Sequence, residues 1–134
     1  MISQDLPIRV YYEDTDAGGV VFYANYLKFA ERGRTELLRS AGFENKSLMD
    51  NEGILFVVHR VEADYLGPAR LDDVLTVKTV VDTIGNSSFT MKQSVLRGDK
   101  ILCDMSIRLV CVTLEGRPVR VPDHLKKALS GISE

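Results

Sequence analysis

Residues 24–41 read ANYLKFAERGRTELLRSA, and the fold class turns on this stretch. Tyr26, Ala30, Gly33, Leu37 and Ala41 recur at steps of four, three, four and four, with Leu27 and Leu38 beside them. That is one apolar stripe on a helix of four to five turns. Gly42 follows as a stop signal. Asn25, a favoured helix cap, predicts a start just after it. Gly33 inside the stripe costs about 1 kcal/mol relative to alanine, so its presence predicts a backbone packed tightly against another element.

No second long helical pattern occurs in the 134 residues. Residues 6–12 alternate, with Leu6, Ile8, Val10 and Tyr12 on one face, and predict a first strand. In 54–65 one face holds Val57, His59, Val61, Ala63 and Tyr65, opposite Val58, Arg60, Glu62 and Asp64, and Gly67-Pro68 breaks the run. Residues 73–83, 88–97 and 101–114 are further strand-like runs, separated by Gly85-Asn86 and Gly98-Asp99 and closed by Gly116. The end, PDHLKKALSG, predicts a short C-terminal helix between Pro122 and Gly131. Strand, helix, four strands with tight links and a small helix define an α+β domain over 1–134, with no linker and no repeat. The short links predict that the last four strands form an antiparallel meander, one face covered by the long helix.

Composition narrows the function classes. Hydrophobic residues make up 45% and charged residues 27%, and the net charge is −2, which gives no basic field for nucleic acid. The start, MISQDLPIRV, lacks the basic and apolar regions of a signal peptide, and no run approaches 18 apolar residues. A soluble cytoplasmic protein with no membrane insertion is the expectation. Cys103 and Cys111 lie eight residues apart on one strand, roughly 26 Å, too far to bridge, so they read as core thiols. Arg97-Gly98-Asp99 reads as a hairpin turn. His59, among apolar neighbours, reads as a structural histidine, and His124, near the end, as exposed.

Residues 11–26, YYEDTDAGGVVFYANY, carry the chemistry. Glu13, Asp14 and Asp16 fall within four positions and are followed by Gly18-Gly19. A polar turn is the simplest reading, since Asp bonds nearby backbone and Gly supplies positive φ. Phosphoryl transfer of the D-x-D type would want a parallel sheet with crossover helices, which the element order lacks. A hard cation would want more oxygen ligands than this segment brings.

A third reading is family resemblance. The run Val10 to Val21 (VYYEDTDAGGVV), Asn25-Tyr26-Leu27 with Glu31-Arg32-Gly33-Arg34, and the run Tyr65 to Asp73 (YLGPARLDD) resemble the signature of small acyl-CoA thioesterases. These form the hydroxybenzoyl-CoA thioesterase superfamily, here its branch associated with the Tol–Pal cell-envelope system. The resemblance spans nearly the whole chain. It implies the hot-dog fold, an antiparallel sheet wrapped around one long central helix, and hydrolysis of acyl-CoA to free acid and CoA. It places the catalytic carboxylate on Asp16, as nucleophile or general base, and the oxyanion donor on the Tyr23 backbone N–H at the helix start. Many members of the branch have histidine where Tyr23 stands, in a run that here reads Phe22-Tyr23-Ala24, so no imidazole base is available there. Glu31, inside the helix, is the minor competitor for the catalytic acid. Coenzyme A phosphates need cations, and the resemblance favours Arg117 and Arg120 over Arg70, Lys126 and Lys127. It also implies a homodimer or homotetramer joined edge to edge, with the acyl-CoA site at the subunit boundary. No metal and no cofactor is implied, CoA being part of the substrate. The alternative within the fold is a non-catalytic module that binds acyl-CoA or acts as a scaffold near the cell-envelope machinery.

Overall fold

The computed structural model describes residues 1–131. Strands β1 (Ser3–Arg9), β2 (Ile54–Tyr65), β3 (Val74–Ile84), β4 (Ser88–Arg97) and β5 (Lys100–Thr113) form one antiparallel sheet in the order β1-β3-β4-β5-β2. Helix α1 (Asn25–Ser40) packs on one face of the sheet, α2 (Asn45–Ser47) is a single turn, and α3 (Asp123–Ser130) closes the described chain. The core lies between α1 and the sheet, where Phe29, Ala30 and Leu37 meet Leu75, Val77, Phe89, Met91 and Ile107, all buried.

Gly33 sits where α1 comes closest to the strands. A Cβ there would lie 2.7 Å from Thr79 Oγ1 and 2.8 Å from Val77 Cγ1. The close approach lets the fully buried Gln93 of β4 span the layers. Its Nε2 donates to Ala30 O and to Thr79 Oγ1, both at 2.8 Å, and its Oε1 accepts from Arg34 Nη1 at 3.1 Å. A buried amide satisfied on both ends costs little and fixes the helix against the sheet. Burial holds the Arg34 guanidinium below its ordinary pKa, partly offset by Glu31.

Three expectations are corrected. Only β3, β4 and β5 form a meander: β2 pairs with β5 at one edge, and β1 takes the place beside β3. The link after Tyr65 does not turn back into a hairpin because the N–H groups of Leu66 and Gly67 bond Leu102 O on β5 at 2.8 and 3.2 Å. It then crosses the end of the sheet to Asp73. Second, β1 ends at Arg9, and Tyr12 is 82% exposed in a 3₁₀ turn, Tyr12–Asp14, instead of lying on the strand's apolar face. Asp14 causes the break, its Oδ2 accepting from Tyr11 N at 2.8 Å. Third, His59 is exposed and not a core residue. The pairing of β2 with β5 slips between Val58 and Arg60, leaving His59 as the extra residue of a bulge. The bulge switches the alternation, so Val58 before it and Val61 after it line the same cavity beside α1.

Candidate functional site

The acidic segment folds into a narrow hairpin at the head of α1. Phe22 N donates to Asp14 O at 3.0 Å and Asp16 N to Val20 O at 2.9 Å, around a bridge between Thr15 and Val21. Asp16 and the glycines form the tip. Gly19 adopts φ +77°, and a Cβ on Gly18 would sit 3.3 Å from Asp16 Oδ1. The positive φ of Gly19 favours glycine there, and a side chain on Gly18 would crowd the Asp16 carboxylate.

The three acids separate in this geometry. Asp14 is buried and spent on backbone. Glu13 is exposed. Asp16 is exposed, its Oδ1 accepting from Gly18 N at 2.9 Å and from Val20 N at 3.4 Å. Its Oδ2 accepts from no donor among the described residues. One oxygen fixes the carboxylate and the other stays free.

Asn25 is the first residue of α1 and does not cap it. Its Nδ2 reaches back to Asp14 O at 2.7 Å and clips the hairpin to the helix head. The N–H groups of Tyr23 and Ala24, just ahead of the first helical turn, donate to no acceptor among the described residues. Unpaired amides at the positive end of a helix dipole are donors for a negatively charged oxygen. The Tyr23 ring is exposed and packs on Phe22 and Tyr65, with centroids 4.7 and 6.0 Å away.

A cavity of about 530 Å³ lies between α1 and the β2 side of the sheet, lined by Leu27, Lys28, Glu31, Arg32, Arg34, Val58, Val61 and Ile107. Leu27 stands one turn beyond Tyr23. Glu31 faces the cavity and accepts from Thr35 Oγ1 at 3.2 Å.

The basic candidates divide between the two ends of the sheet. Arg70 pairs through its backbone with Val20, beside the Asp16 tip. Arg117 and Arg120 lie at the other end, where Arg120 Nη1 bonds Asn86 Oδ1 at 3.3 Å in the β3–β4 turn and Nη2 bonds Asp123 at 3.1 Å. The 11 residues of β3 separate the two ends, about 35 Å. Lys126 and Lys127 follow on α3, which starts at that far end. Within one chain Asp16 lies at the tip of the hairpin and Tyr23 follows its second arm into α1, while Arg117 and Arg120 lie at the other end of the sheet.

Several residues at the site escaped the sequence reading. Tyr26, 3% exposed, receives Ala69 N at its hydroxyl at 3.2 Å and contacts Gly67 O at 3.5 Å. Arg97 and Asp73 form an ion pair at 3.0 Å beneath the hairpin. Tyr26 belongs to the buried stripe of α1 and Arg97 precedes the β4–β5 turn, as their sequence positions predict, and nothing local in the sequence signals the hydrogen bonds they also make.

Sheet order, helix placement and a loop carrying an acid at the helix head define a hot-dog thioesterase domain, and the chain belongs to the thioesterase superfamily, whose family model matches residues 18–103. The chain is 42% identical over 123 residues to the acyl-CoA thioesterase YbgC of Haemophilus influenzae, covering 91% of this chain and 90% of that protein. It is also 42% identical over 121 residues to the acyl-CoA thioester hydrolase YbgC of Escherichia coli, at 89% and 90% coverage. Among solved structures, a probable thioesterase from Bartonella henselae superposes with a TM-score of 0.87 at 40% identity, covering 90% of this chain and all of that one. Among the described residues, no helix is long and apolar enough to cross a membrane.

Proposed function

We propose that the chain hydrolyses acyl-CoA thioesters to a carboxylic acid and CoA, with Asp16 and the Tyr23 N–H as the working pair. The observation that carries this reading is a carboxylate oxygen free of protein donors on a hairpin leading directly to two unpaired amides at the helix head. As nucleophile, Asp16 Oδ2 attacks the thioester carbonyl, and the carbonyl oxygen becomes an oxyanion held by the Tyr23 N–H and the helix dipole. Collapse expels the CoA thiolate and leaves a mixed anhydride, which water cleaves to regenerate Asp16. As general base, Asp16 instead takes a proton from the water that attacks the same carbonyl. The cavity along α1 offers room for the acyl group. In this reading CoA is part of the substrate, and the reaction draws on no separate cofactor.

The YbgC relatives support the reaction class by the activity in their names. The edge strand β2 supports an assembly in which two copies complete the site. Val58 and Val61 are 47% and 39% exposed on a strand whose outer hydrogen-bonding side is unpaired, and such edges are usually covered. A second β2 added antiparallel about a two-fold axis puts the far end of one sheet beside the near end of the other. Arg117 and Arg120 of each chain then fall on the Asp16 side of its neighbour, where CoA phosphates need cations.

The test is Asp16→Asn, assayed by thiol release over a panel of acyl-CoAs. The carboxamide preserves the turn, so the variant folds as the wild type does, and turnover drops by about 10²–10⁴. Wild-type turnover in Asp16→Asn would remove Asp16 from the mechanism. Binding of acyl-CoA by the wild type with no thiol release from any substrate would replace hydrolysis by the non-catalytic module.

A further inference from the structure

The Asp16 hairpin does not rest on the sheet. Its second arm rests on the 66–73 link, with Val21 N donating to Ala69 O at 2.8 Å and Leu71 N to Gly19 O at 3.3 Å. At its base, Val10 N donates to Asp73 O at 2.9 Å and Asp72 N to Val10 O at 3.0 Å. Together with the Asn25 clip at the helix head, the shape of this link sets where Asp16 sits. The link has no regular structure, and it holds Asp72 at φ +69°, the one non-glycine residue with positive φ among those described. A backbone in that region costs about 1–3 kcal/mol and persists only where its surroundings impose it.

Arg9 Nη1 donates to Asp72 O at 2.9 Å, and two further side chains brace the rest of the link. Arg97, at the end of β4, donates from a single nitrogen, Nη1, to Pro68 O at 3.1 Å and to Asp73 Oδ2 at 3.0 Å. Asp73 Oδ2 also accepts from Arg70 N at 2.9 Å. One guanidinium thus joins the beginning of the link to its end. From below, the buried Tyr26 hydroxyl takes the Ala69 N–H, on the residue whose carbonyl receives Val21. Burial alone would raise the Asp73 carboxyl, but the Arg70 amide and the Arg97 guanidinium together hold it below its ordinary pKa, so the clasp stays charged. A partly exposed ion pair contributes little to global stability. Its effect here is on shape.

We propose that Arg97, assisted by Tyr26, is a positioning residue for Asp16: its clasp on Pro68 and Asp73 sets the 66–73 link, and the link sets the hairpin that aims the carboxylate. This rests on the thioesterase reading for its catalytic consequence and on the hydrogen bonds alone for its mechanical one. Arg97→Met removes the clasp, Arg97→Lys restores one charged donor, and Tyr26→Phe removes only the hydroxyl. The full-length variants are read by kcat and KM on one acyl-CoA and by amide hydrogen exchange. Displacing a catalytic group by about 1 Å costs on the order of 10²-fold. Arg97→Met and Tyr26→Phe therefore lower kcat by about tenfold to a hundredfold with KM nearly constant, and Arg97→Lys recovers most of the loss. Exchange at Val21 and Leu71 speeds up in Arg97→Met and Tyr26→Phe, while that of Met91 in central β4 does not change. The proposal is overturned if exchange at Val21 and Leu71 stays at the wild-type rate in both, or if it speeds up and kcat does not fall. Should the wild type release no thiol, the thioesterase reading fails, and the exchange rates still decide whether the clasp holds the hairpin.

Discussion

Asp14 and Asp16 are two positions apart and have opposite fates, because a carboxylate's availability depends on which amides it meets. Asp14 turns inward to Tyr11 N, and its backbone carbonyl is taken by Phe22 and Asn25. Asp16 keeps one oxygen on the glycine turn and the other free. The three acids are legible in the sequence as one cluster, with Asp16 singled out by the resemblance alone; their different surroundings hang on hydrogen bonds to residues up to eleven positions away. Cysteine burial was easier to read, since two cysteines eight residues apart on one strand are too far apart to bridge and so read as core thiols, and both are buried. Burial pushes the Cys103 thiol up to about 11, with Asp104 and Asp64 adding to it. A thiol whose folded pKa lies above its unfolded value of 9.0 contributes fully below that value. Its contribution is lost as pH rises from there through the folded pKa, because only the unfolded chain ionises. The urea midpoint at pH 10 therefore falls below that at pH 8, and Cys103→Ala narrows the gap. Ellman's reagent at pH 8 finds neither thiol until the protein is unfolded, so the protein adds no background to a thiol-release assay; rapid labelling of native protein would contradict the burial.

At the scale of elements, α1 was legible from its apolar period alone, and Gly33 announced its tight contact. The identity of the contact was not legible, since Thr79, Val77 and Gln93 lie forty to sixty residues further on. In an open helix Gly33→Ala would stabilise by about 1 kcal/mol. Here the new methyl meets Val77 Cγ1 and Thr79 Oγ1 well inside van der Waals distance and presses on Gln93. Overpacking of this kind costs about 1–3 kcal/mol, so the net effect is destabilising, measured as a lower urea midpoint with an unchanged slope. A rise in the midpoint would mean that α1 can lift away from the sheet freely. The strand order was the part that sequence missed. A link of eight residues is compatible with a hairpin and with a crossing, and the choice lies in two amides that bond Leu102 O on a strand not yet met. The bulge at His59 was hidden for a related reason: alternation continues on either side of it, and only the partner strand reveals the slip.

At the scale of the molecule, one chain holds Asp16 at one end of its sheet and Arg117 with Arg120 at the other. Under the proposed antiparallel pairing of two β2 edges those ends would meet between chains, and each site would take its acid from one copy and its phosphate-binding arginines from the next. This arrangement predicts subunit complementation. An Asp16→Asn chain lacks the reactive acid, and an Arg117→Ala/Arg120→Ala chain binds CoA weakly and shows a raised KM. At substrate concentrations well below KM both homodimers turn over slowly. When the two are unfolded together and refolded as an equal mixture, half of the dimers are mixed. In a mixed dimer the arginine-deficient chain supplies an intact Asp16 and faces the intact arginines of the Asp16→Asn chain, so one of its two sites is whole. Thiol release should recover to about a quarter of the wild-type rate, while light scattering reports dimers or larger assemblies throughout. If acid and arginines served the same site within one chain, neither site of the mixed dimer would be whole. The mixture would then turn over no faster than the mean of its two components, and the shared site would be excluded.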